Sequence, residues 1–127
     1  MKLHYKLFIP FLPFFQVIVS IQQINDSKTF FTTLNQNNLV LVDFFMPGCT
    51  PCARLLNTLE PLSHNSNFAD IIFIKVDVTS MPELAKTFHI SSVPVLKIFK
   101  KGTPVYSHVG FLNSNEIQQA LQNSRNR

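Results

Sequence analysis

The 127-residue chain has no tryptophan, only two cysteines, three glycines and little charge, 14% of its residues. Two cysteines are too few for a disulfide-held scaffold and too few for a four-thiolate metal site. The low charge accompanies a 46% apolar content, enough to fill a core in a chain of one-domain length, which excludes disorder and fibrous repeats. No internal repeat and no linker divides the sequence. A clustered basic face is also missing. The net charge of +4 comes from Lys2 and Lys6 at one end and Arg125 and Arg127 at the other, and the basic and acidic residues between them cancel. A nucleic-acid partner needs basic residues gathered on one face, so that class is set aside.

The first residues, MKLHYKLFIPFLPFFQ, are more apolar and aromatic than anything later. Two lysines followed by Leu7–Phe15 resemble the charged and apolar regions of a secretory signal. The run is too short to span a bilayer as a helix, and Pro10 and Pro13 would interrupt one. No A-x-A-like cleavage site follows; Ile18-Val19-Ser20 comes nearest, with a large residue where a small one is wanted. Two readings stay open for residues 1–18: a signal or weak membrane anchor, giving an exported protein, or a non-exported extension or misassigned start, giving a cytoplasmic one.

Beyond it, Val19–Ile24 partly alternates and reads as a first strand. Asp26 or Ser27 can cap a helix over Lys28–Asn35. Leu39–Phe45 is a continuous apolar run, as a strand buried on both faces requires. A helix is expected from about Cys52 to Ser63, with Leu55, Leu56, Leu59 and Leu62 at helical spacing. Ile71–Val78 reads as a second buried strand, Pro82 opens a short helix over Glu83–Phe88, and Val93–Phe99 is a third strand. Lys100-Lys101-Gly102 turns the chain and Val105–Val109 pairs back. Asn113 or Ser114 caps a last helix ending near Gln122, with residues 124–127 a frayed basic tail. Strands alternating with helices and closed by a hairpin give one α/β domain over 19–123, with a mixed sheet.

The chemistry concentrates at Cys49-Thr50-Pro51-Cys52, between a buried strand and a helix. At a helix start this spacing brings two sulfurs within bonding distance. Cys49 faces the unpaired N–H groups and the positive end of the helix, which favour its thiolate. Cys52, inside the first turn, is shielded. Pro51 fits the first turn, where its missing N–H costs nothing. A structural disulfide, a zinc half-site or two core cysteines are the plainer readings. However, so small a loop adds little stability, and His4, His64, His89 and His108 lack the spacing of zinc ligands.

Asp43, six residues before Cys49, interrupts an otherwise apolar strand. It is either a strand-end charge or a buried carboxylate, whose raised pKa would suit a proton shuttle. Lys75 is the single charge early in the next buried strand; it either lies near Asp43 or snorkels to solvent. Pro94 opens a buried strand, where proline is poorly tolerated. It is either an ordinary first-position proline or a cis one that turns the backbone of Val93 outward for pairing with an extended peptide.

Together Val40–Phe45, Cys49-Thr50-Pro51-Cys52, Lys75-Val76-Asp77, Val93-Pro94-Val95, Phe99–Gly102 and Val109-Gly110 resemble the thioredoxin family. The similarity runs from about Ile21 to Leu121 and implies the thioredoxin fold, a central mixed sheet flanked by helices. It implies Cys49 as nucleophile, Cys52 as resolving thiol, Asp43 as the acid/base beneath Cys52, Pro94 as the cis-proline opposite the disulfide, and a supporting role for Lys75 and Pro51. Gly48, Thr50, Val78, Ser92, Val93 and Gly110 would border the substrate groove. The sequence departs from the family at Gly48, where tryptophan is usual, and at Thr50, where glycine is usual; Phe45 sits where a second aromatic, often tryptophan, is common. Gly48 removes a flat apolar wall and loosens the backbone; Thr50 stiffens the loop and could hydrogen-bond near a sulfur. The family's mid-helix proline is here Asn57, with Pro61 four residues later, so any bend in that helix moves.

The expected function is thiol–disulfide exchange with protein disulfides, without cofactor or metal, by a monomer. The resemblance implies an NADPH-linked thioredoxin reductase as electron donor in the cytosol; an exported protein would need a membrane thiol carrier. The alternatives are an exported oxidant, isomerase or cytochrome-assembly protein using the same residues, and a non-catalytic protein-binding module on the same fold.

Overall fold

The computed structural model describes residues 21–127; the expectations for residues 1–18 and for the start of the first strand lie outside them. The elements run β1 (Gln22–Gln23), α1 (Ser27–Gln36), β2 (Leu39–Phe45), α2 (Thr50–Ser63), a 3-10 turn (Ser66–Phe68), β3 (Ile71–Asp77), α3 (Pro82–Thr87), β4 (Val95–Lys100), β5 (Thr103–Val109) and α4 (Ser114–Arg125). The sheet order is β1-β3-β2-β4-β5. β1, β3 and β2 are parallel, and β4 and β5 run antiparallel to the strands beside them.

β2 is the central strand, and its alternation sorts the molecule into two layers. Leu39 and Leu41 point to one face, with Ile71 and Phe73 of β3, and are covered by Leu55, Leu59 and Leu62 of α2 and Ile117 and Leu121 of α4. Val40, Val42 and Phe44 point to the other and are covered by Phe30 and Leu34 of α1, Leu84 of α3 and Met81 at its N-cap. With helices on both faces, β2 must be apolar on both, as its sequence is. In that second layer Phe30 has its ring centroid 6.3 Å from Phe44, 5.7 Å from Phe88 and 6.4 Å from Phe99.

The ends of the elements follow local chemistry. Asp26 caps α1 by accepting from the Thr29 N–H at 2.7 Å. Asn113 and Glu116 form a reciprocal capping box on α4. Lys101 and Gly102 both have positive φ and make the two-residue turn between β4 and β5. Gly102 has φ +82°, which favours glycine there, and a Cβ would stand 2.8 Å from Asn35 Oδ1, so that side chain would have to move.

The last helix runs past its expected end near Gln122: α4 continues to Arg125, into the residues expected to form a frayed basic tail. Ser124 is buried, and the Arg125 guanidinium donates to Asp70 at 2.7 Å and to the Asn67 carbonyl at 3.0 Å. Lys100 Nζ donates to the Arg125 carbonyl at 2.9 Å and also to the Arg127 carbonyl. A long-range anchor of this kind leaves no periodic signal in the sequence. β4 starts at Val95, two residues later than expected, and β5 starts at Thr103, two residues earlier.

Phe30 is fully buried, while its neighbour Phe31 is 40% exposed. Phe30→Ala is expected to lower unfolding free energy by about 3–5 kcal/mol, and Phe31→Ala by less than about 1 kcal/mol. Urea titration with an unchanged m-value is the check; similar losses for the two would contradict the packing described.

Candidate functional site

The alternation that sends Leu39 and Leu41 toward α2 sends Asp43 and Phe45 there too. Asp43 is paired in register with Lys75 and Phe45 with Asp77 across the parallel β2–β3 ladder. Asp43 is 1% exposed, and its Oδ1 has no hydrogen-bond partner. Burial pushes its carboxyl up to about 7, and the nearby Lys75 ammonium offsets part of that rise. Lys75 is half-buried, with Nζ 5.6 Å from the centre of the Phe45 ring. Its proximity to Asp43 and its cover of an aromatic face are thus both present.

After β2 the exposed residues Met46, Pro47 and Gly48 carry the chain over to α2. Gly48 has φ +77°, and a Cβ there would meet nothing within 4 Å, so its constraint is conformational rather than steric. Cys49 is the N-cap of α2 in extended conformation, and Pro51 occupies the first turn. Cys49 and Cys52 are joined as a disulfide. Cys49 is half-exposed and Cys52 is buried. The Cys52 N–H donates to Cys49 Sγ at 3.2 Å, so the hydrogen bond reaching that sulfur comes from backbone rather than from the exposed Thr50.

Two hollows meet at Cys49. One, of about 410 Å³, is lined by Cys49, Met46, Val78, Ile90, Ser92 and Val93. The other, of about 190 Å³, lies on the α2 side, where Asp43 and both cysteines line it together with Gly48. Gly48, Val78, Ser92 and Val93 therefore come together around the disulfide, whereas Thr50 and Gly110 line neither hollow. The Val93–Pro94 peptide is cis, Pro94 is buried, and its carbonyl accepts from the Gly110 N–H at 2.8 Å. Pro61 lies in the last turns of α2, which runs through it to Ser63. Met46, shared by both hollows, was missed by sequence reading, as were Ala53, Leu56 and Ile90. Their only signal is position beside the cysteines, and each reads as ordinary apolar filler. No group of three or more metal-ligating side chains occurs among the described residues.

The Thioredoxin family model matches residues 20–123. The chain is 32% identical over 99 residues to thioredoxin 1 of Plasmodium falciparum, covering 78% of this chain and 92% of that one. It is 33% identical over 90 residues to thioredoxin-1 of Schizosaccharomyces pombe, covering 71% and 85%. The solution structure of the oxidised Plasmodium falciparum thioredoxin superposes with a TM-score of 0.73 at 32% identity, over 82% of this chain and 97% of that one. The disulfide at the head of α2, the sheet order and these matches lead to one conclusion: the chain belongs to the thioredoxin family and is a thiol–disulfide oxidoreductase that works on protein disulfides through its own redox-active cysteine pair.

Proposed function

We propose that the protein reduces client disulfides, with Cys49 attacking and Cys52 resolving. The observation carrying this assignment is the asymmetry of the pair: Cys49 is half-exposed at the head of α2, and Cys52 is buried one turn in. In the reduced protein the first-turn N–H groups, that of Cys52 among them, favour a thiolate at Cys49. This thiolate attacks one client sulfur, the client S–S bond breaks, and the other client sulfur leaves as a thiolate. Cys52 then loses its proton and attacks Cys49 Sγ, which breaks the mixed disulfide, releases the second client thiolate and forms the Cys49–Cys52 bond. Two electrons have passed to the client.

Asp43 is the proton acceptor for Cys52 in this reading. It lines the same hollow as both sulfurs, and its raised pKa suits a base that must exchange protons near neutrality. Lys75 supports it by holding part of its charge. Pro51 stiffens the first turn, and Val78, Ser92 and Val93 border the client groove beside Pro94, with Gly48, Thr50 and Gly110 at its margins. A two-electron donor resets the disulfide: an NADPH-linked thioredoxin reductase in the cytosol, or a membrane thiol carrier if the protein is exported.

Cys52→Ser is expected to accumulate mixed disulfides with client proteins through Cys49, and Cys49→Ser none, as read on non-reducing gels. Absence of trapped clients would count for a binding module. The potential of the pair against glutathione at pH 7 is expected near the reducing end of the family range, about −270 mV. A value toward about −120 mV would instead make the protein an oxidant.

Asp43→Asn is expected to slow the resolving step by roughly a hundredfold and to remove the rise in its rate as pH passes through 7, measured by single-turnover kinetics. The same variant tests the burial. The folded-state pKa lies above the unfolded value, so the native state favours neutral Asp43, and this contribution is lost as pH rises from 4 through 7. Relative to wild type, Asp43→Asn should therefore gain about 4 kcal/mol of stability between pH 4 and pH 8. A pH-independent difference in urea titrations would contradict it.

A further inference from the structure

The hollow on the α2 side of the disulfide has more room and less polarity than proton exchange at Asp43 requires. Its volume is about 190 Å³, several times the roughly 30 Å³ that one water occupies. Its wall is almost wholly carbon and sulfur, from Phe45, Met46, Pro47, Ala53 and Leu56 besides the cysteines. A bound water needs two to four polar partners, and the unpartnered Oδ1 of Asp43 is the one buried side-chain oxygen left without a hydrogen bond among the described residues. Water filling such a space is poorly held and is displaced with gain by an apolar group.

The mouth of the hollow opens beside Cys49. Gly48 adds no side chain across it, and a Cβ there would touch nothing. Met46, 41% exposed, is shared with the larger hollow on the Val93 side, as is Cys49 itself. Cys49 and Met46 thus border both depressions, and a chain lying across Cys49 is in reach of each. The rim residues Met46, Pro47, Gly48 and Ala53 are all exposed and uncharged. Arg54, next along the helix, stacks on the Phe111 ring at 4.4 Å, and Lys75 lies over Phe45. Nothing on this rim compensates the desolvation of a charged client residue.

We propose that this hollow is a client subsite that takes a large uncharged apolar side chain from the residue next to the target cysteine, with Met46 and Ala53 setting the preference. The proposal rests on the reading of Cys49 as the attacking sulfur. Leucine, methionine or phenylalanine fits the volume and chemistry of the wall; aspartate or glutamate is disfavoured by the carbon lining and by the carboxyl of Asp43 at its floor. Methionine at position 46 is suited to this because its unbranched thioether adapts to differently shaped apolar partners.

The test uses the full-length reduced protein and disulfide-linked peptides that differ only in the residue beside the target cysteine, leucine or aspartate, placed on each side in turn. On one side, the second-order rate constant of this single turnover is expected to favour leucine by about tenfold. Ala53→Phe, on the exposed face of α2, fills the hollow and should bring that ratio close to one. Met46→Lys puts a cation at the mouth and should shift the preference toward aspartate, a reversal that a merely destabilised fold would not give. The small reagent 5,5′-dithiobis(2-nitrobenzoate), which needs no subsite, is run in parallel with wild type. Wild type that reduces the reagent but treats both peptides alike overturns the subsite alone, as does an Ala53→Phe protein that keeps the full preference. Wild type that reduces neither reagent nor peptides overturns the reading of Cys49, and the subsite with it.

Discussion

The fold and the site both depend on the two-residue alternation of the central strand. β2 is covered on both faces, so every side chain in it is committed to one layer or the other, and a slip of one residue would exchange them all. With Leu39 and Leu41 packed under α2, Asp43 has no choice of side. The same packing that anchors α2 therefore drives a carboxylate under the first turn of that helix, where the cysteines are. The strand supplies the distance from water that raises the Asp43 pKa, and the strand beside it supplies, at the matching register, the lysine that limits the rise.

The helix contributes the second asymmetry. Two cysteines three residues apart at a helix start cannot be equivalent. The N-cap residue stands outside the helix, with its sulfur toward the free N–H groups, and the residue three positions on is already turned into the core. This difference in exposure and electrostatics arises from helix geometry alone, and it turns a symmetric dithiol into an outer sulfur that can meet a large client and an inner one that cannot. Loop Met46–Gly48 matters for the same reason, because it delivers the chain from a buried strand to an exposed cap in three residues and needs a positive φ at Gly48 to do so.

Most of this is legible in the sequence. Leu39–Phe45 is an apolar run broken only by Asp43, as a doubly covered strand must be, and Ile71–Val78 reads as a second, although Ile72 is 38% exposed. Cys49-Thr50-Pro51-Cys52 states its helix start through Pro51. Asp43 and Lys75 stand out because they break those runs, although the sequence alone left open whether each was buried or at a margin; register pairing and the burial of Asp43 decide that. What stayed hidden depends on contacts between distant segments. The clamp of Arg125 on Asp70 and Asn67 joins residues more than fifty positions apart, and it holds a C-terminal turn that composition reads as a loose basic tail. Met46 and Ala53 carry no pattern at all, since an exposed methionine after a strand and an alanine in a helix are ordinary until the cavity between them is seen.

The absence of tryptophan then has a structural meaning. With Gly48 before the first cysteine and Phe45 at the end of β2, no indole closes the α2 side of the disulfide, and the space is bounded instead by Phe45, Met46, Pro47, Ala53 and Leu56. A rigid indole presents one surface to every client, whereas flexible and small side chains leave a depression whose shape can adjust. The same opening gives Asp43 a route to solvent, so loss of an aromatic wall and access to the buried carboxyl are one feature rather than two. Under the proposed mechanism, a client side chain entering there would displace water from above Asp43 at the stage when Cys52 gives up its proton, which would tie recognition of the client to the electrostatics of the resolving step.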